Sequence, residues 1–141
     1  MEYFPIKLPP LGETVEICGG LSIPEPFRNE IVAEYERLYP NIDILFSVNR
    51  EQEFFSFYHR TREISHKIAD CNAIVLDPVG PAKGSGYILL LAKTTIEYQP
   101  AYLLSMDGYN KTKEQWMREW GQTIAKIVSL PFEEYSLGAD A

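Results

Sequence analysis

The chain has 141 residues, is 45% hydrophobic and 13% aromatic, and carries a formal net charge of −7. This composition describes one folded domain with a full core rather than a disordered chain. The acidic balance, with no basic run, argues against nucleic-acid binding, and no apolar run reaches the length of a membrane span.

Residues 1–12 are proline-rich and read as an extended arm. They carry Glu2 and the pair Pro9-Pro10 but no hydrophobic stretch, so no signal peptide is expected. The domain proper is expected over residues 13–136. Residues 14–18 read as the first strand, ended by Gly19-Gly20, and residues 21–26 as a loop. Phe27, Ile31, Tyr35 and Leu38 fall at helical spacing and predict an amphipathic helix closed by Pro40. Residues 42–48 read as the second strand. Phe54, Phe57 or Tyr58, Thr61, Ile64 and Ile68 mark a second helix.

Residues 72–76 read as a strand that is apolar on both faces, as expected for a central strand of a parallel sheet. Asp77 then stands at the carboxyl end of that strand, where open α/β sheets place their ligands. Gly84, Ser85 and Gly86 follow as a turn into a third helix carried by Ile88, Leu91, Ala92 and Thr95, although residues 87–92 also fit a strand. Residues 101–105 read as a fourth strand. Trp116, Trp120, Ile124, Ile127 and Val128 line a C-terminal helix stopped by Pro131, and residues 137–141 form a tail. Strands alternating with helices predict an α/β, doubly wound, mostly parallel sheet of Rossmann or flavodoxin type, with helices on both faces.

Several residue types on this frame carry chemistry. Gly19, Gly20 and Ser22 can present N–H and hydroxyl donors to a phosphate, or simply make a tight turn. Gly84, Ser85 and Gly86 can cradle an anion at a helix N-terminus, or only lead into it. Asp77 can act as an acid or hold a sugar hydroxyl, but an Asp before Pro also shapes loops, and Glu63 is a weaker candidate carboxylate. His59 and His66 share a face if their segment is helical, yet no third metal ligand is placed. Trp116 and Trp120, with Tyr109, form either an aromatic platform or core packing. Cys18 and Cys71, in or beside strands, read as buried thiols rather than a disulfide, which points to the cytoplasm or another reducing compartment.

Three blocks, taken in order, resemble the nucleoside 2-deoxyribosyltransferase superfamily, nearest to the 2'-deoxynucleoside 5'-phosphate N-hydrolases. The first is Val15-Glu16-Ile17-Cys18-Gly19-Gly20. The second is Tyr58-His59, then Arg62, then Ile68-Ala69-Asp70-Cys71-Asn72-Ala73-Ile74-Val75. The third is Gly84-Ser85-Gly86-Tyr87-Ile88-Leu89-Leu90-Leu91-Ala92, followed by Gln99-Pro100-Ala101-Tyr102-Leu103-Leu104. The resemblance implies a nucleotide or nucleoside ligand, no cofactor, and a site built in a homo- or hetero-oligomer. It also places Ile88 where the family has its attacking Glu, Arg62 where an Asp assists, and Leu90 where a glycine follows the Glu. Cleavage of an N-glycosidic bond needs a carboxylate against an oxocarbenium-like state, so the resemblance implies that the inherited catalysis is lost.

The expectation is therefore a nucleotide-binding pseudoenzyme that holds its ligand through Gly19, Gly20, Ser22, Arg62, Gly84, Ser85 and Gly86. Two alternatives stand beside it. One is an active N-glycosidase or transferase using a relocated carboxylate, Asp77 or Asp107. The other is a structural subunit whose crevice is filled by Ile88, Leu89, Leu90 and Leu91.

Overall fold

The computed structural model describes residues 1–9, 14–22, 30–39, 42–59, 62–79, 86–96 and 99–135. Among them the chain forms ten strands and two α-helices: β1 (Glu2–Lys7), β2 (Glu16–Ile17), β3 (Leu21–Ser22), α1 (Glu30–Leu38), β4 (Ile42–Asn49), β5 (Phe54–His59), β6 (Arg62–Lys67), β7 (Cys71–Val79), β8 (Tyr87–Thr94), β9 (Ala101–Asp107), α2 (Lys111–Val128) and β10 (Phe132–Glu134). They make two five-stranded sheets, β1-β4-β5-β6-β3 and β10-β7-β8-β9-β2. Every pairing is antiparallel except β10 with β7.

The doubly wound parallel α/β sheet is thus overturned. Two of its expected helices are strands. The expected second helix gives way to the antiparallel pair β5 and β6, because Phe54, Phe55, Phe57 and Tyr58 are aromatic residues that favour a pleated surface. Residues 87–94 form β8, between β7 and β9 and buried on much of both faces, which accounts for their unbroken apolar run. With those crossover helices gone, consecutive strands pair directly with each other and must run antiparallel. The expected N-terminal arm is also a strand: β1 pairs with β4 from Glu2 to Lys7. The expected strands around residues 42–48, 72–76 and 101–105 are present as β4, β7 and β9.

One core joins the sheets. Phe46, Phe55 and Phe57 from the first sheet, Ile74, Leu76, Ile88, Leu90 and Leu104 from the second, and Met117, Ile124 and Val128 from α2 belong to a single buried cluster. The rings of Phe46 and Phe57 stand 5.1 Å apart at its centre. The α2 helix is capped at its start by the Asn110 side chain, which accepts from the Lys113 N–H at 2.8 Å, and ends in a left-handed Ser129. It closes on the second sheet at Gly121, where a Cβ would stand 2.8 Å from Leu90 Cδ1 and 2.7 Å from Phe132 Cε1. Trp116 and Trp120 pack against this core, ring centroids 6.4 Å apart. The shorter α1 covers the other face of the first sheet, burying Val32 against Leu45 and Tyr58.

Candidate functional site

In an antiparallel pair, directly opposed residues point to the same face. The second sheet therefore has an inner face of Ile74, Leu76, Ile88, Leu90, Leu104 and Met106, which belong to the core. Its outer face carries one continuous row, Glu16 (β2), Ser105 (β9), Leu89 (β8) and Asp77 (β7), in direct register. Four strands at their usual spacing make that row about 14 Å long. The next row places Tyr87 opposite Asp107 and Val79, and the row on the other side places Tyr102 and Val75 opposite Leu91.

Of the described helices, α2 packs on the inner face and α1 on the first sheet. The outer face is open only in part: Tyr102 is 49% exposed and Tyr87 43%, Asp77, Leu89 and Ser105 are half-buried, and Ala73, Val75 and Leu91 form a buried cluster. Its rim at β10 is closed by an ion pair, Lys93 Nζ to Glu133 Oε1 at 2.8 Å, with the Tyr135 ring 5.9 Å from the ammonium. Glu16, Asp77 and Asp107 have no ion-pair partner among the described residues. The face thus combines exposed tyrosines with carboxylates that no described residue pairs.

Asp77 is the member that costs the fold something. It sits opposite Leu89, and burial pushes its carboxyl above the ordinary carboxylate range. A carboxyl with a raised folded-state pKa binds protons more readily in the folded protein. Its ionisation therefore opposes folding above that pKa, and the penalty vanishes below the unfolded value of about 3.9. Asp77→Asn is expected to raise the melting temperature at neutral pH, with the gain shrinking towards zero as the pH falls through the carboxylate range. Thermal melts of both proteins across that range check it.

The expected phosphate-binding residues divide between the two sheets. Gly19 and Gly20 turn the chain from β2 into β3, both at positive φ, and Ser22 pairs in register with Arg62 of β6. Arg62 Nη2 donates to Gly19 O at 2.9 Å and to Gly20 O at 3.2 Å. Four of the proposed ligands are therefore neighbours. Gly86 lies elsewhere: it leads into strand β8 and its carbonyl accepts from the Gly108 N–H at 3.0 Å. The helix N-terminus expected after it does not exist. Gly84 and Ser85 lie outside the described residues. Ile88 is fully buried in the core.

The remaining candidates have structural surroundings. His59 and His66 sit at opposite ends of the β5–β6 hairpin, opposite Arg62 and Phe55. The described residues contain no group of three potential metal ligands. Glu63 belongs to a polar strip on the outer face of the first sheet, where Ser47, Ser56 and Ser65 form one row. Ser65 donates to Glu63 Oε1 at 3.0 Å, so the 2.6 Å contact between Ser56 and Ser65 has Ser56 as donor. Burial, together with the Glu63 carboxylate, pushes the Tyr58 phenol up to about 12. Cys18 and Cys71 are free thiols, and burial raises the pKa of both, which leaves them protonated and poorly nucleophilic.

Tyr87, Tyr102 and Glu16 were not singled out from the sequence. The signal for them is an alternation, Val15-Glu16-Ile17 and Tyr87-Ile88-Leu89-Leu90, which becomes readable only once residues 87–92 are taken as a strand. No protein-family model, curated protein or solved structure matches this chain. Among the described residues, no helix is long and apolar enough to cross a membrane.

Proposed function

We propose that this protein is a non-catalytic binding module that docks a positively charged partner protein on the outer face of its second sheet. The observation that carries this reading is Asp77: a half-buried carboxylate without an ion-pair partner among the described residues, kept in a row with Leu89 between Tyr87 and Tyr102. Such a carboxylate weakens the isolated fold, and a cationic partner supplies the counter-charge that no described residue gives it. Tyrosines beside it supply the rigid, amphipathic contact area in which binding hot spots are found. The overall charge of −7 favours long-range attraction to a basic surface.

The test uses octa-arginine as a cationic probe, followed by amide chemical shifts. Shifts are expected at Asp77, Tyr87, Leu89, Tyr102 and Ser105, fading as salt is added. The double substitution Tyr87→Ala with Tyr102→Ala is expected to weaken binding about 30-fold, the equivalent of roughly 2 kcal/mol. Shifts confined to α2 or to the first sheet would remove the reading.

A second reading keeps the nucleotide expectation in its surviving part. Arg62 spends one nitrogen on the Gly19 and Gly20 carbonyls, and Ser22 lies beside it in register. The rest of the guanidinium suits a phosphate or carboxylate. A thermal-shift series with nucleoside monophosphates and inorganic phosphate is expected to stabilise the protein and to lose that effect in Arg62→Gln. A shift unchanged by the substitution would place the anion elsewhere.

A further inference from the structure

Sheet edges are either blunted or used. In the first sheet the β1 edge is blunted by Pro5, which has no N–H to offer. The opposite edge is β6, and β3 covers only part of it: Leu21 pairs with Glu63 and Ser22 with Arg62, while residues 64–67 pair with nothing on that side among the described residues. The reason the ladder does not reach residues 64–67 is local: β3 starts only at Leu21, after the chain turns at Gly19 and Gly20, both at positive φ. At Gly20 the chain lies so close to β6 that a Cβ would stand 2.6 Å from the Glu63 carbonyl oxygen, and the Arg62 guanidinium fixes the turn by holding the Gly19 and Gly20 carbonyls. A groove of about 420 Å³ opens where the ladder breaks off, lined by Gly20, Leu21, Glu63, Ile64 and Ser65.

We propose that residues 64–67 of β6 accept an extended segment of a partner protein as an added strand, continuing the ladder that β3 begins. The register sets the chemistry of that segment. Antiparallel to β6, its residue opposite Ile64 extends the inward row Phe4, Phe46, Phe57, Ile64 and is apolar. Its residue opposite Ser65 extends the outward row Ser47, Ser56, Ser65 and is Ser or Thr. Its residue opposite the exposed Lys67 is acidic. The recognised pattern, from N- to C-terminus, is acidic, any residue facing His66, Ser or Thr, then apolar. Main-chain hydrogen bonds supply the affinity and the alternate side chains the selectivity.

The experiment uses a synthetic peptide with Glu-Val-Thr-Val at its centre and two N-methylated forms, one methylated at Glu and Thr and the other at both valines. In an antiparallel ladder, alternate amides face the neighbouring strand, so the two forms block different sides. The proposal expects the parent peptide to slow amide exchange within residues 64–67 and one methylated form to lose at least about tenfold in affinity, while the other binds as the parent does. Equal behaviour of the two methylated forms, protection confined to other strands, or no binding of the parent peptide overturns it. Binding to the outer face of the second sheet would instead perturb Tyr87 and Tyr102, which keeps this outcome separate from the docking reading above.

Discussion

Phe46→Ala is expected to remove about 3–5 kcal/mol of stability, the range for deleting a large aromatic side chain from a core. Phe46 is fully buried, and its ring meets Phe57 at 5.1 Å, Phe4 at 5.8 Å and Phe55 at 6.2 Å. These neighbours come from β1 and β5, on strands held in fixed register with β4, so they cannot slide together to fill the space. The lost ring contacts add to the transfer and cavity terms. A domain of this size has roughly 5–15 kcal/mol in total, so the variant retains little. Urea unfolding followed by tryptophan fluorescence measures it, with a lower midpoint and an unchanged slope as the expected result. The conservative Phe46→Leu should recover much of the loss, because it refills part of the volume. A Phe46→Ala protein that unfolds at the parent midpoint would mean that the two sheets do not share this core.

The strands β4, β7 and β9 and the helix α2 were legible because each matched one pattern only. Trp116, Trp120, Ile124 and Val128 repeat at helical spacing with Pro131 beyond them, and α2 ends at Val128. The β5–β6 hairpin was not legible. Phe55 and Phe57 face the core while Ser56 and Tyr58 are buried on the other face, near α1, so the alternation that marks a strand is hidden by burial on both sides. Phe54, Phe57, Ile64 and Ile68 then happen to match a helical period. The error spread from there to topology. A parallel sheet needs a crossover helix between its strands, and reading two strands as helices created crossovers where the chain makes hairpins. Among the described residues, the helical connection from β9 through α2 to β10 produces the one parallel pair, β10 with β7. The candidate site followed the fold. Asp77 stood out as the residue at the carboxyl end of an apolar strand, whereas Tyr87 and Tyr102 gain meaning only from their place on the outer face of an antiparallel sheet.

Gly19 and Gly20 offer a matched pair of substitutions with sharply different expected costs. Both have left-handed φ values, +83° and +95°, so alanine at either site carries the backbone cost of about 1–2 kcal/mol for that conformation. At Gly19 nothing lies within 4 Å of the added Cβ, and Gly19→Ala is expected to cost no more than that. At Gly20 the Cβ would stand 2.6 Å from Glu63 O and 3.1 Å from Glu63 C, which are backbone atoms of a paired strand and cannot rotate away. Relief requires β3 to separate from β6, which would break the pairing of Leu21 with Glu63 and draw the glycine carbonyls off Arg62. Gly20→Ala is therefore expected to cost about 2 kcal/mol or more beyond Gly19→Ala, as overpacking and strain combine. Urea midpoints of the two variants measure the difference. Amide exchange at Arg62 and Glu63 should rise in Gly20→Ala and stay near the parent rate in Gly19→Ala, because the turn itself survives there. Equal costs for the two would mean that β3 does not lie against β6 as closely as Gly20 requires. The groove beside Ile64 and Ser65 would then lose its fixed wall, and the proposed strand addition at residues 64–67 would lose the turn that keeps β3 off them.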